Sequence, residues 1–194
     1  FDLLEEDNME KIASLIDDKK VYCLPSSSFT PAYLEDLRYD LTILKRLQSL
    51  WDTVDQDPKI AAFVEALSTD PRLNNQKCIV FTEAKETADY LTDVLKERFG
   101  DCVLEYHGSS SASERIAVIE NFDAKTRHPK DDYRILVTTE VLSEGVNLHR
   151  SNAVINYDIP WNPTRMMQRV GRINRVDTKF EKIHVFNFFP AGPI

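Results

Sequence analysis

W-N-P-T-R-M-M-Q-R-V-G-R-I-N-R, residues 161–175, opens with the punctuation of a helix start. The short side chain of Asn162 can accept from the first free backbone N–H groups, and Pro163 is pre-set for the first helical position, so a helix should follow. On it Gln168, Arg172 and Arg175 stand at offsets of four and three residues and share one face, while Arg165 and Arg169 point elsewhere. The run carries four arginines and no acid. Gly171 costs an exposed helix about 1 kcal/mol relative to Ala, and the expected reason is the close approach of an outside group. A phosphate chain is the expected occupant.

The flanking segments place this helix in a sheet. Cys78-Ile79-Val80-Phe81 is a short, continuously apolar run ending at Thr82, followed by a helical stretch through Phe99 that Gly100 closes. Val103-Leu104 makes a second strand ending at Tyr106-His107-Gly108. Ser111 and Glu114 then have the spacing of a capping box for a helix through Phe122. Residues 124–133 read as a polar surface loop, and Ile135–Val137, Ala153–Ile155 and Ile183–Phe186 as three further strands. Strands alternating with helices predict an α/β fold, a doubly wound parallel sheet. Ligands of such sheets bind at the carboxyl ends of the strands. Of only five glycines, Gly108, Gly145 and Gly171 fall in those turns or on the arginine helix.

The pattern Q-x-x-G-R-x-x-R of residues 168–175 resembles motif VI of the superfamily 2 helicases and translocases, the arginine-finger motif of the second RecA-like lobe. With the preceding W-N-P it is most similar to the Swi/Snf-type remodeller branch, whose bacterial members are double-stranded DNA translocases. Where that branch continues x-G-Q, Val176 and Asp177 stand here. T-T-E-V-L-S-E-G-V-N-L (138–148) resembles motif V, K-C-I-V-F-T-E-A-K-E-T-A-D-Y-L (77–91) motif IV, and Y-H-G-S (106–109) the family's next conserved turn. The resemblance implies Arg175 as the finger and Arg172 as its γ-phosphate partner, with Gln168, Gly145, Asn147 and Gly171 at the nucleotide. It implies Thr82, His107, Gly108, Thr138 and Thr139 along a nucleic-acid track that touches backbone phosphates and reads no sequence.

Read from the residues alone, several of these positions have plainer roles: Thr82 as an N-cap, Asn147 satisfying local backbone, His107 as a packing residue, Trp161 as a buried aromatic beside Pro160. The resemblance further implies ATP as cofactor, with Mg²⁺ held by an N-terminal RecA-like lobe, and DNA or RNA together with that lobe as partners. No G-x-x-x-x-G-K-[ST] occurs, nor a strand ending in an acidic pair, so the isolated chain is expected to be inactive as an ATPase. Because it begins at Phe1 rather than Met, it is expected to be part of a longer protein.

The 194 residues are 42% hydrophobic with interspersed charge, which fits one well-cored domain plus an appendage. No apolar run reaches membrane-spanning length, and no membrane partner is expected. Cys23, Cys78 and Cys102 are scattered, as are the four histidines, so no metal site is expected; the thiols read as those of an intracellular, cytoplasmic compartment. The net charge of −8 is carried by residues 1–70, with fifteen acids against seven bases; the remainder has seventeen of each. Domains are therefore expected at 1–70, a helical extension or linker, and 71–194, the lobe. In the extension Leu34, Leu37, Leu41, Leu44, Leu47 and Trp51 form the stripe of a long helix opening at Thr30-Pro31, and Asp57-Pro58 starts another bearing Ile60, Phe63, Val64 and Leu67. The expected function is the C-terminal lobe of an ATP-dependent helicase or translocase, monomeric by itself and acting on duplex DNA. Two alternatives stand beside it. One is a catalytically silent lobe serving protein interaction; the other is a simple DNA-binding domain, whose affinity would be strongly salt-sensitive.

Overall fold

Continuous apolar runs such as Cys78–Phe81 form strands buried on both faces, because a parallel sheet must be covered by helices on either side. The computed structural model describes residues 9–22, 24–54, 57–139, 146–174 and 178–189. Its strands are β1 (Cys78–Phe81), β2 (Val103–Tyr106), β3 (Ile135–Thr138), β4 (Ala153–Asn156) and β5 (His184–Asn187). They pair in parallel in the order β2-β3-β1-β4-β5. The three inner strands are buried at every residue, whereas β2 and β5, at the edges, are only partly so. β5 begins at His184, one residue later than its apolar pattern suggests.

The helices are α1 (Met9–Asp17), α2 (Ala32–Trp51), α3 (Pro58–Thr69), α4 (Lys85–Phe99), α5 (Ala112–Phe122) and α6 (Pro163–Ile173). Alternate strand residues point to opposite faces. Cys78, Val80, Ile135, Val137, Ala153 and Ile155 pack with Ile60, Phe63 and Leu67 of α3 and Ala88, Leu91 and Leu95 of α4. Ile79, Phe81, Leu136 and Val154 pack on the other face with Val118 and Phe122 of α5 and Ile173 of α6. The sheet is thus doubly wound, and the expected fold class stands.

Local chemistry sets the helix ends. Asp57 caps α3 by accepting from the N–H groups of Lys59 and Ile60 at 2.9 and 3.0 Å. Ser111 and Glu114 form the reciprocal capping box of α5. α4 ends on Gly100 at φ +74°, a left-handed conformation that a Cβ disfavours. Cys78 is fully buried, and burial pushes its thiol up to about 12, so it packs as an apolar group. Cys23 lies outside the described residues.

Two corrections concern the amino-terminal part. The chain divides between residues 56 and 57, not at 70. Helix α3 belongs to the lobe because its apolar face closes the core: Phe63 and Leu67 have no exposed surface, and Phe63 meets Tyr157 and Phe188 at ring separations of 5.4 and 5.2 Å. In the unit before residue 57, Pro31 rather than Thr30 occupies the cap position of α2, without a side-chain cap.

Candidate functional site

The last residues of β2, β3, β1 and β4 share one register row, Tyr106 beside Thr138, Thr138 beside Phe81 and Phe81 beside Asn156. The residues that follow form the carboxyl edge of the sheet. Thr82, His107, Gly108, Thr138 and Thr139, scattered along the sequence, are therefore gathered on one edge. The helix α6 begins after β4 as expected, with the Asn162 side chain accepting from the Thr164 N–H at 2.9 Å and Pro163 at its first position.

What fixes α6 to that edge is Arg169. Only 2% exposed, its guanidinium donates to Asn156 Oδ1 at 2.8 Å, to the carbonyl of Asp158 at 3.1 Å and to Glu83 Oε1 at 2.6 Å, and lies 5.1 Å from the centre of the Phe81 ring. Arg165 adds an exposed ion pair to the other Glu83 oxygen at 3.3 Å. The Asp158 carboxylate accepts from the Thr82 hydroxyl, from Lys59 Nζ at 2.9 Å and from the Glu83 N–H at 3.4 Å. Burial pushes its pKa up, but those hydrogen bonds and the Lys59 charge outweigh burial and hold it below the ordinary carboxylate value. A buried arginine without its acid would be severely destabilising. The two arginines that point away from the Gln168 face therefore anchor it.

On that face Gln168 is exposed and Arg172 half-buried. Among the described residues no hydrogen bond or ion pair engages the Arg172 guanidinium, while its carbonyl accepts from the Leu148 N–H at 3.0 Å and joins the helix end to the segment before β4. Asn147 in that segment is half-buried. A Cβ added at Gly171 would meet nothing within 4 Å. The missing side chain therefore relieves no packing among the described residues. Arg175 and Gly145 lie outside the described residues.

The structure gives two of the expected track residues other work. Thr82 has no exposed surface and its hydroxyl is spent on Asp158; Thr138, equally buried, donates to the carbonyl of Thr139 at 3.0 Å. As placed, neither hydroxyl reaches a phosphate. Thr139 is 8% exposed. Gly108 is exposed, and the turn around it is braced by the Ser110 hydroxyl accepting from the His107 N–H at 3.0 Å and by Ser109 Oγ against His107 Nδ1 at 2.9 Å. Trp161, expected to be buried beside Pro160, is fully exposed, whereas Pro160 is buried.

Sequence spacing gave no sign of two groupings. The Glu83–Arg169–Asp158 anchor joins three separate segments; the available clue was Arg169 in the same helical phase as the apolar Ile173, a phase that buries a charge and so demands an acid. The second grouping, Asp89, Glu105 and His107, brings donor atoms within 4.8 Å of one another from α4, β2 and the turn after it. The scattered histidines had argued against any such cluster.

The residues present suit part of an ATP site. Arg172 and Gln168 offer side-chain donors that no hydrogen bond or ion pair engages among the described residues, which fits an anionic phosphate chain. The acids of this edge, Glu83 and Asp158, are occupied by Arg169, Arg165, Lys59 and Thr82, and so do not present a cradle for Mg²⁺.

Residues 58–177 match the model of the helicase conserved C-terminal domain, and the match begins at the first residue of α3. The chain is 34% identical over 113 residues to an uncharacterized ATP-dependent helicase of Bacillus subtilis, YqhH, covering 58% of this chain and 19% of that protein. It is 29% identical over 136 residues to the ATP-dependent RNA helicase DbpA of the same organism, covering 70% and 26%. The chain thus spans about a fifth to a quarter of the length of these relatives. Among solved structures, domain 2 of the DEAD-box helicase Mss116p bound to an RNA duplex superposes with a TM-score of 0.53 at 25% identity, over 66% of this chain and 49% of that one. The five-stranded parallel sheet, its flanking helices and these matches agree: the chain belongs to the helicase conserved C-terminal domain family and is a RecA-like C-terminal lobe of superfamily 2.

Proposed function

We propose that this lobe serves an ATP-dependent motor on nucleic acid, supplying positive charge to the nucleotide and one wall of the track. The observation that carries this reading is the contrast on α6: Arg169 is spent on holding the helix, whereas the guanidinium of Arg172, about one helical turn on, is engaged by no hydrogen bond or ion pair among the described residues. As the bond to the γ-phosphate loosens, charge grows on its equatorial oxygens, and a guanidinium already in place stabilises that charge without reorganisation. Arg172 meets the γ-phosphate, Arg175 acts as the finger, and Gln168, Asn147, Gly145 and Gly171 line the nucleotide side. ATP binds between this lobe and an N-terminal lobe of the parent protein, which holds the Mg²⁺. Backbone groups of the His107-Gly108 turn and of Thr138-Thr139 face the nucleic-acid phosphates.

Duplex DNA is the proposed track. Relatives named as RNA helicases make RNA the competing substrate. The ATPase of the intact parent, measured with duplex DNA, single-stranded DNA and RNA, decides between them: stimulation by duplex DNA is expected, and stimulation by RNA alone overturns the DNA assignment. In that parent Arg175→Ala should abolish stimulated hydrolysis while nucleotide binding persists; unchanged turnover removes Arg175 from the reaction. A silent interaction module is the poorer reading, because it gives no reason to hold an arginine that no described residue engages on so firmly anchored a helix.

A further inference from the structure

At the outer edge of the sheet, away from the arginine helix, three side chains converge that the proposed ATP reaction does not use. Asp89 comes from the first half of α4, Glu105 from β2 and His107 from the turn that follows. His107 Nε2 lies 3.6 Å from Glu105 Oε1 and 4.0 Å from Asp89 Oδ1. Both separations are too long for a hydrogen bond. Glu105 Oε1, the oxygen on the imidazole side, is buried and among the described residues no hydrogen bond reaches it within ordinary geometry. We propose that Asp89, Glu105 and His107 form a binding site for a divalent first-row transition ion of the Zn²⁺ or Mn²⁺ type.

The distances suit one shared ion. Nitrogen and oxygen ligands sit about 2.0–2.2 Å from Zn²⁺. Two such donors are therefore about 3.4 Å apart in a tetrahedral arrangement and never more than about 4.3 Å. The 3.6 and 4.0 Å separations already fall in that range, and small carboxylate rotations bring in the remainder. The atoms not facing the centre are tied elsewhere: Asp89 Oδ2 accepts from Lys85 Nζ at 2.8 Å, and His107 Nδ1 is 2.9 Å from Ser109 Oγ. A serine hydroxyl accepts as readily as it donates. Nδ1 faces Ser109, whose N–H and Oγ lie 3.3 and 2.9 Å away and fix the ring, so that Nε2 faces the centre. One imidazole with two carboxylates favours Zn²⁺ or Mn²⁺ over Mg²⁺, which prefers oxygen and retains its waters.

Calorimetric titration of the 194-residue chain with Zn²⁺, in the presence of millimolar Mg²⁺, tests the proposal. One saturable site is expected, weakened by about tenfold or more in Glu105→Gln and His107→Gln and by about tenfold in Ser109→Ala, which keeps all three ligands. Glu105→Gln preserves the shape of the protonated carboxyl, so the variant should still fold and melt cooperatively without metal. A second measurement needs no variant: Mn²⁺ should broaden the amide resonances of residues 105–109 and of the first turns of α4 before any others. Absence of a saturable site, equal affinity in the ligand variants, or Mn²⁺ broadening centred elsewhere would each overturn the assignment.

Discussion

Replacing Arg169 with Met tests whether the arginine helix is held by one buried cation. The substitution keeps an unbranched, helix-compatible side chain of similar length and removes every donor. Two acceptors then lose their partner: Asn156 Oδ1, in a residue with no exposed surface, and the carbonyl of Asp158. Each orphaned buried acceptor costs about 1–3 kcal/mol. The third partner contributes less, because Glu83 is 37% exposed, can turn to water and keeps its contact with Arg165 at 3.3 Å. Met recovers part of the loss through its contact with the Phe81 ring. The net cost should be about 3–4 kcal/mol, within the range found when one partner of a buried pair is removed. For a domain of this size that lowers the melting temperature by roughly 10 °C. Thermal unfolding of the wild-type and variant chains, followed by circular dichroism, measures it directly. A loss below about 1 kcal/mol would refute the reasoning, because Arg169 would then be replaceable by any side chain that fills its space.

Phe63→Ala should cost about 3–5 kcal/mol in urea unfolding, because the ring is fully buried against Tyr157 and Phe188; a cost under 1 kcal/mol would return α3 to the extension. Ser111→Ala removes half of a capping box and should cost about 1 kcal/mol in the same assay. Glu105 makes metal-free stability depend on pH in an unusual direction. Its pKa is raised from 4.5 to about 7, so the folded chain holds a proton that the unfolded chain has released, and stability falls as pH rises between those values. Glu105→Gln should flatten that part of the profile, and an identical slope in the variant would contradict the placement of Glu105.

The sheet could be read from the sequence because its inner strands are apolar at their first three positions and buried throughout, and because Ser111 with Glu114 marks the start of α5; Thr82, by contrast, does not cap α4, whose cap position is Ala84 without a side-chain cap. The start of the lobe could not. Helix α3 has the same amphipathic pattern as the helices before it, and periodicity says that a face is buried without saying against what. The shared helix and face of Gln168 and Arg172 could be read from spacing alone. At Thr82 and Thr138 a hydroxyl at a strand end suits a phosphate or an internal acceptor equally well, and only the fold shows that Thr82 bonds Asp158 and Thr138 the carbonyl of Thr139. Glu83, Asp158 and Arg169, like Asp89, Glu105 and His107, become neighbours only through strand order, which no local pattern encodes.

The most direct test of the account is Arg172→Ala in the intact parent, with nucleic-acid-stimulated ATP hydrolysis as the readout and melting of the chain as the control. Because no internal bond engages the Arg172 guanidinium among the described residues, stability should change by no more than about 0.5 kcal/mol. Hydrolysis should fall by about 10³-fold or more with nucleotide binding retained. Turnover within a few-fold of wild type would contradict the claim that α6 presents this arginine to the nucleotide.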